Sequence, residues 1–261
     1  MSYDHYYADP TGNITILVET KAALEDRLRL SKEFFEKIPE CEQVGFVSFD
    51  AKDADIRLDM AGGEFCGNAT MSAGALFAFL NSREEECLVR VSSSGVKETV
   101  RVKVKRLGEA LYRGVVEMPD PEGYEDIELK HRGRSYSFSM VKFPGMYHLI
   151  SEEPMEREMA EEAIKEWCKK LSCPALGIMM MDIKEKRLTP LVYVEAVDSL
   201  YWENSCASGT SATGYHLYRR YKKAVDVDFK EPGGILKIKT DEHGKLFLTG
   251  TVKLRSQKPD K

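Results

Sequence analysis

Two segments of the sequence place a cysteine before a run of small residues, and both are candidates for proton-transfer chemistry. The first reads CGNATMSAG from Cys66, and the second reads CASGTSATG from Cys206. In both segments a threonine lies four positions after the cysteine and a glycine lies eight positions after it. An acidic residue precedes each cysteine, Glu64 in the first case and Glu203 in the second. The matched pattern predicts a duplicated α/β protein with one cysteine helix in each half.

The small residues that follow each cysteine favour a particular chemistry. They leave the backbone N–H groups at a helix start uncovered, and such a start is an anion site. The same field lowers a cysteine pKa from about 8.5 towards neutrality, so a thiolate is expected. Two such helices would bind one carboxylate and place a sulfur on each side of its α-carbon, which suits proton removal from one face and delivery to the other. Either cysteine alone could equally be a small buried hydrophobe.

Hydrophobic periodicity predicts the elements that must position these segments. Amphipathic helices are predicted over 22–37 and 154–171, and the cysteine segments are predicted helices over 66–80 and 206–221. Predicted strands cover 13–19, 44–49, 56–60, 87–92, 98–106, 110–118, 135–141, 147–150, 178–183, 191–194, 235–240 and 245–254. The PDPEG segment at 119–123 is the predicted linker between the two halves.

Composition excludes several other classes of protein. The 261 residues include 38 Lys and Arg against 43 Asp and Glu, so the net charge of −5 argues against non-specific nucleic-acid binding. The sequence contains no apolar run long enough to predict a membrane span, and its N-terminus lacks the features of a signal peptide. A cytoplasmic location is therefore expected. The six cysteines are then expected to be free thiols. Cys168 and Cys173 are too isolated to predict a metal site.

At the cysteine segments the chain resembles the diaminopimelate epimerase-fold family of amino-acid racemases and epimerases, which are independent of pyridoxal phosphate. The segments that carry the resemblance are DPTGN at 9–13, EFCGN at 64–68 and CASGT at 206–210. Within that fold family the chain is most similar to the histidine racemases of staphylopine-type metallophore pathways, through CEQVGF at 41–46, WENSC at 202–206 and PGG at 232–234. The resemblance spans nearly the whole chain.

The resemblance implies an α/β (α+β) fold of two pseudo-symmetric domains, each a sheet wrapped around a central cysteine-bearing helix, with the active site between them. The expected N-terminal domain comprises 1–118 together with a C-terminal strand at about 250–261 and carries Cys66. The expected C-terminal domain comprises 119–249 and carries Cys206. Family members often form homodimers, and the same is expected here.

The resemblance also implies roles for individual residues. Cys66 and Cys206 would act as base and acid and exchange these roles with the direction of the reaction. Glu203 and the side-chain oxygen of Asn13 would hold the substrate ammonium. The substrate carboxylate would accept from the backbone N–H groups of Gly67, Asn68, Ala207 and Ser208. The family needs neither pyridoxal phosphate nor a metal, so no cofactor is expected.

Two departures from diaminopimelate epimerase bear on the substrate. Asn204 stands where that enzyme typically has an arginine, and Met146-Tyr147-His148 corresponds best to its Asn-Pro-His segment. A distal carboxylate would lose polar partners, and unpaired burial of a charge is costly. A neutral or cationic side chain such as imidazole fits better, with Glu42 as a hydrogen-bond acceptor. Alternatively, Glu42 is only a helix-end or surface charge, and His148 is only a satisfied core histidine.

The sequence therefore predicts cofactor-independent interconversion of L- and D-histidine. One alternative is racemisation or epimerisation of another amino acid, such as diaminopimelate. A second is a dehydratase of the hydroxyproline type, although that reaction would need only one functional cysteine. A third is an amino-acid-binding module that has the fold and no turnover.

Overall fold

The chain divides into two compact units in the computed structural model, which describes residues 3–257. Within that range one unit comprises 3–117 and 248–257, and the other comprises 118–247. The last positions of the predicted C-terminal strand, 258–261, lie outside the described residues.

Over residues 3–257 the two units contain four α-helices and sixteen strands. The helices are α1 (Leu24–Lys37), α2 (Gly67–Asn81), α3 (Arg157–Leu171) and α4 (Ala207–Tyr221), and a short 3-10 helix covers Glu195–Val197. The first unit contains β1 (His5–Pro10), β2 (Thr15–Glu19), β3 (Gln43–Ser48), β4 (Ile56–Met60), β5 (Glu86–Ser93), β6 (Val100–Gly108) and β7 (Leu111–Glu117). The remaining strands are β8 (Gly123–His131), β9 (Arg134–Phe143), β10 (Met146–Ser151), β11 (Ala175–Asp182), β12 (Arg187–Val194), β13 (Ser199–Trp202), β14 (Asp226–Glu231), β15 (Gly234–Thr240) and β16 (Leu246–Gln257).

The first unit is a ring of strands around α2. Strands β1 to β7 are neighbours in chain order, and β16 lies between β7 and β1, which closes the ring. Helix α2 contacts all of β1 to β7 and is buried along almost its whole length. The helix can be enclosed in this way because its side chains are small. At Gly74, for example, an added Cβ would lie 2.9 Å from Val102 of β6.

In the second unit the strand order is β8-β9-β10-β11-β12-β14-β15, and β13 pairs with β12. Helix α4 contacts β9, β10, β11 and β15. Helix α3 packs on β11 and β12 and buries Trp167, Ile164 and Cys168 in a core that also contains Leu176 and Leu191. This unit therefore has one helix against its sheet and a second helix that carries the cysteine.

The two units repeat one connection scheme. In the first, α1 joins the parallel strands β2 and β3, and α2 joins the parallel strands β4 and β5. In the second, α3 joins the parallel strands β10 and β11, and α4 lies between the parallel strands β12 and β14. The strand pairs β3–β4 and β11–β12 between these connections are both antiparallel. The predicted duplication, with one cysteine helix in each half, is confirmed.

Four strands were missing from the expectations, and the predicted linker was partly wrong. Strands β8 and β14 are rich in charged residues, β1 mixes polar residues with tyrosines, and β13 is only four residues long, so the local pattern of each is weak. They form because pairing with neighbouring strands and burial of one face supply the stability. Gly123, the last residue of the predicted linker, is the first residue of β8.

Among the described residues, no helix is both long and apolar enough to span a membrane.

Candidate active site

Each cysteine is the N-cap of its helix, and the two caps have nearly the same geometry. Cys66 caps α2 with φ −126° and ψ 116°, and Cys206 caps α4 with φ −122° and ψ 101°. Each Sγ accepts a hydrogen bond at 3.4 Å from the backbone N–H three residues later, that of Ala69 or Gly209. A cysteine thus stands where serine or aspartate usually caps a helix.

The cap geometry places the predicted anion-binding groups in the first turns. α2 begins with Gly67 and Asn68, and α4 begins with Ala207 and Ser208. The N–H groups at these positions have no acceptor within the helix. These four residues thus follow the capping cysteines at the helix N-termini, which is where the sequence predicts an anion to bind. The roles assigned to these four residues stay predictions.

The matched threonines and glycines have structural explanations. The hydroxyls of Thr70 and Thr210 each donate to the carbonyl oxygen of the capping cysteine at 2.7 Å. Gly74 lies against β6, and at Gly214 an added Cβ would overlap Ile238 of β15. The threonine fixes the start of the helix, and the glycine lets a strand approach it. The recurrence of these residue types therefore reflects how each helix is held as well as the chemistry of the cysteine.

In the first unit, the parallel pairing of β2 and β3 brings Asn13 and Glu42 together. Asn13 is fully buried, and its Nδ2 donates to Glu42 Oε2 at 2.7 Å. Its Oδ1 is buried and has no hydrogen-bond partner among the described residues. Gln43, next in the chain, accepts from the Cys66 thiol at 3.0 Å through Oε1. Asn13, Glu42 and Cys66 are thus parts of one polar cluster in this unit.

Gly95 supports the backbone directly before Cys66, and this leads to a prediction. An alanine Cβ at Gly95 would overlap the backbone nitrogen of Phe65 and lie 2.7 Å from the carbonyl carbon of Glu64. Gly133 has the same φ of +77° but has nothing within 4 Å of an added Cβ. Both alanine variants carry the strain of a positive φ, about 1 kcal/mol. Gly95→Ala should lose about 2 kcal/mol more in free energy of unfolding, because backbone atoms must move.

Urea unfolding of Gly95→Ala and of its control Gly133→Ala measures this difference. Equal losses in the two variants would show that the loop before Cys66 accommodates the methyl group.

In the second unit, two carboxyl groups act on Cys206. Glu203 is 7% exposed and hydrogen-bonds with the Cys206 side chain. Glu231, at the end of β14, accepts from the Cys206 backbone N–H at 2.7 Å, and its other carboxyl oxygen is hydrogen-bonded with the Thr210 hydroxyl. Burial raises the pKa of Glu231 to about 8. Cys206 is therefore surrounded by acidic groups that are themselves shielded from water.

The expectation of a lowered cysteine pKa is wrong for Cys206. The Gly209 N–H does lower the pKa of the thiol, as helix capping should. Burial outweighs it, and the negative charges of Glu203 and Glu231 raise the pKa of Cys206 further, well above its ordinary value. Cys206 is therefore a protonated thiol here. The sequence pattern showed the helix but not the desolvation around its first residue.

The two candidates at the distal end of the predicted pocket lie in different surroundings. His148, in β10, is fully buried, and neither ring nitrogen has a hydrogen-bond partner among the described residues. It is therefore a core histidine but not a satisfied one, and burial lowers its pKa to about 3. Asn204 is exposed, and its backbone carbonyl accepts from the N–H of Gly233 at 2.7 Å. Trp202 packs against the α3 core, as expected of a packing residue.

The four remaining cysteines differ in their exposure. Cys41, Cys168 and Cys173 are buried, and Cys87 is partly exposed. Over residues 3–257, no group of three or more His, Cys, Asp or Glu side chains is arranged to hold a metal ion.

Sequence reasoning missed two residues that contact the cysteines. Gln43 lies in the CEQVGF segment but was not singled out, although it directly follows Glu42. Glu231 lies 25 positions after Cys206, and the only local signal was the PGG turn that follows it. Strand position could have indicated Gln43, which is the first residue of β3, a predicted strand, but not Glu231, because no strand was predicted where β14 lies.

Comparisons with known proteins agree with this arrangement. The family described as "Histidine racemase CntK N-terminal domain" matches residues 3–257, which covers both units. A histidine racemase of Fusobacterium nucleatum is 32% identical over 96% of this chain and 94% of its own. A histidine racemase of Staphylococcus aureus is 27% identical over 94% of this chain and 91% of its own.

A solved structure extends the comparison to the fold. The crystal structure of a probable proline racemase from Agrobacterium radiobacter matches with a TM-score of 0.69 over 99% of this chain and 94% of its own. Its sequence identity is 13%, so the likeness supports the fold alone. The two cysteine-capped helices, the duplicated units and the match along the full described range lead to one conclusion. The chain belongs to the histidine racemase family and is an isomerase.

Proposed function

We propose that the protein interconverts L- and D-histidine by a two-base mechanism in which Cys66 and Cys206 are the proton-transfer groups. The observation that carries the proposal is the near-identity of the two helix caps, each of which places a cysteine sulfur at the N-terminus of a helix. A racemase needs two groups of this kind, because the proton must leave one face of the α-carbon and return to the other.

The proposed reaction is balanced in protons. One cysteine, as thiolate, takes the α-proton and becomes a thiol. The other cysteine, as thiol, gives its proton to the opposite face and becomes a thiolate. The negative charge that develops on the substrate carboxylate is stabilised by the first-turn N–H groups of the two helices. The roles of the cysteines are exchanged at the end of each turnover, so the enzyme serves both directions.

Asn13 supports the proposed ammonium site. Its Oδ1 is a buried acceptor without a hydrogen-bond partner among the described residues, and leaving such an atom unpaired is costly. A substrate ammonium group would satisfy it. The Nδ2 contact with Glu42 fixes the orientation of the amide, so that the oxygen faces away from Glu42. Glu203, the second residue proposed at the ammonium, is buried beside Cys206.

The choice of histidine as substrate is supported by the named relatives and by chemistry. Two of those relatives are histidine racemases that match nearly the full chain. Asn204 stands where diaminopimelate epimerase typically has an arginine that binds the second carboxylate of its substrate. Glu42 supplies a carboxylate that can accept a hydrogen bond from an imidazole N–H of the substrate. Reactive thiols also favour a reducing compartment, so we place the enzyme in the cytoplasm. A homodimer and a role in metallophore synthesis stay predictions from the family resemblance.

Solvent exchange tests the proposal directly. The purified protein, with no cofactor added, is incubated with L-histidine in heavy water, and loss of the Cα–H signal is followed together with the appearance of D-histidine by chiral chromatography. We expect both, and we expect no comparable exchange with diaminopimelate. Exchange with diaminopimelate but not with histidine would overturn the choice of substrate. Binding of histidine without any exchange would instead support a non-catalytic module.

A further inference from the structure

Glu231 occupies an unusual position for a carboxylate. It is 7% exposed, lies at the end of β14 and has one oxygen on the Cys206 backbone N–H and the other on the Thr210 hydroxyl. The next residues turn back, and the Gly233 N–H binds the carbonyl oxygen of Asn204 at 2.7 Å. The segment is thus fixed at both ends to the start of α4.

The duplicated unit offers an internal comparison. β5 follows α2 as β14 follows α4, and Ser93 is the last residue of β5 as Glu231 is the last residue of β14. The hydroxyl of Thr70 lies 3.5 Å from Ser93 Oγ, whereas the hydroxyl of Thr210 binds Glu231. The neutral hydroxyl of Ser93, near the start of α2, therefore corresponds to the carboxyl group of Glu231 near the start of α4.

The side-chain contacts of the two sulfurs include a neutral amide at Cys66 and, besides the Ser208 hydroxyl 3.7 Å from its sulfur, a carboxyl group at Cys206. The Cys66 thiol donates to the neutral amide of Gln43. The Cys206 side chain hydrogen-bonds with the carboxyl group of Glu203, and the Cys206 backbone N–H donates to the carboxyl group of Glu231. Two acidic groups therefore oppose ionisation of Cys206.

We infer that Glu231 is a positioning residue that holds Cys206 in its thiol form from behind α4, so that the two cysteines are chemically unequal before substrate binds. The inference deepens the proposed two-cysteine mechanism and rests on it. It makes Cys206 the proton donor of the resting enzyme and leaves Cys66 as the cysteine that begins as base.

The order of ionisation follows from the pKa directions. The pKa of Glu231 is raised to about 8 by burial, and the pKa of Cys206 is raised well above its ordinary value. As pH rises, Glu231 ionises first, and the Cys206 thiolate must then form against that charge and the charge of Glu203.

The other neighbours of this helix start do not change that order. The first turn of α4 contains no acidic residue. The side chains packed against it from β11 and β10 are those of Met179 and Met146, which are uncharged. Among the described residues, the carboxyl groups that act on Cys206 are therefore Glu203 and Glu231.

Glu231→Gln tests the inference, because glutamine keeps an acceptor for the Cys206 N–H and removes the charge. The protein is alkylated with iodoacetamide over a range of pH, and the Cys206 and Cys66 peptides are quantified separately by mass spectrometry. The midpoint of the Cys206 profile should fall by about one pH unit, equivalent to about tenfold faster alkylation below the midpoint. The Cys66 midpoint, measured in the same sample, should not move. Glu231→Asp, which keeps the charge, should retain a high Cys206 midpoint.

An unchanged Cys206 midpoint in a folded Glu231→Gln protein would overturn the inference. If that variant does not fold, the wild-type profile decides, since a Cys206 midpoint below that of Cys66 also overturns it. The alkylation readout does not depend on turnover. A failed racemisation assay therefore contradicts the proposed function, and a failed midpoint shift contradicts only the role of Glu231.

Discussion

Replacement of either Cys66 or Cys206 by serine should lower racemisation of histidine by about a thousandfold or more. A positioned general acid or base contributes about 10²–10⁴ to a rate, and a serine hydroxyl ionises far less readily than a thiol. The serine Oγ can still accept from the N–H of Ala69 or Gly209, so each helix keeps its cap. The measurement is the initial rate of D-histidine formation by chiral chromatography.

The matched control is Cys87→Ser, because Cys87 is a partly exposed thiol outside the polar clusters described above. It should retain wild-type activity. Each single catalytic variant can still exchange or eliminate from one face, since one thiol remains, so loss of racemisation with residual one-sided exchange fits the mechanism. Racemisation at the wild-type rate in either variant would exclude the two-base mechanism and favour a single functional cysteine.

Replacement of His148 by leucine should remove a large part of the acid sensitivity of the fold. Burial lowers the pKa of folded His148 to about 3, whereas an unfolded histidine titrates near 6.5. Below about pH 6.5 the unfolded chain gains a proton that the folded chain excludes. Above that pH, His148 does not make the free energy of unfolding depend on pH. As pH falls from about 6.5 towards 3, exclusion of this proton lowers the free energy of unfolding by about 3–5 kcal/mol.

Leucine removes this linkage and fits the site. The ring of His148 lies over Gly177, its partner in the β10–β11 pair, where an added Cβ would overlap Nδ1. The two ring nitrogens have no hydrogen-bond partner among the described residues, so replacing them by an apolar group should cost little at neutral pH. Chemical unfolding of wild type and variant at a series of pH values gives the difference in free energy of unfolding.

That difference should grow in favour of His148→Leu as pH falls from about 6.5 towards 3. His243→Leu, on an exposed turn, is the control for the histidine-to-leucine change itself. A constant difference between His148→Leu and wild type would show that His148 is protonated in the folded protein, and would require a partner for its charge.

The cysteine helices were predictable because their signal is local. A cysteine followed by small residues, with threonine and glycine at fixed offsets, determines a helix start, its capping and the close approach of a strand. The repetition of the segment predicts the duplication. Helix α3 was also predictable, since its apolar residues recur with helical spacing and pack into one core.

Strands β8 and β14 were not predictable in the same way. Their sequences, GYEDIELKH and DVDFKE, are dominated by charges on the exposed face, and only a few buried residues mark the other face. β8 is stable because it pairs with β9 over nine residues, and β14 because it pairs with β15. Each partner is the next strand along the chain, but pairing through the backbone leaves no hydrophobic pattern in a strand whose exposed face is charged.

The sequence by itself determined which atoms can do the chemistry: two thiols, each at the start of a helix of small residues, and the family to which they belong. Apart from Glu203, which is close to Cys206 in the sequence, the electrostatic surroundings of those thiols were decided by the tertiary structure. Gln43 and Glu231 reach the cysteines only because strands from other parts of the chain end beside α2 and α4. The pKa of a buried group depends on desolvation and on the few charges near it, and neither quantity is written in the neighbouring residues of the chain.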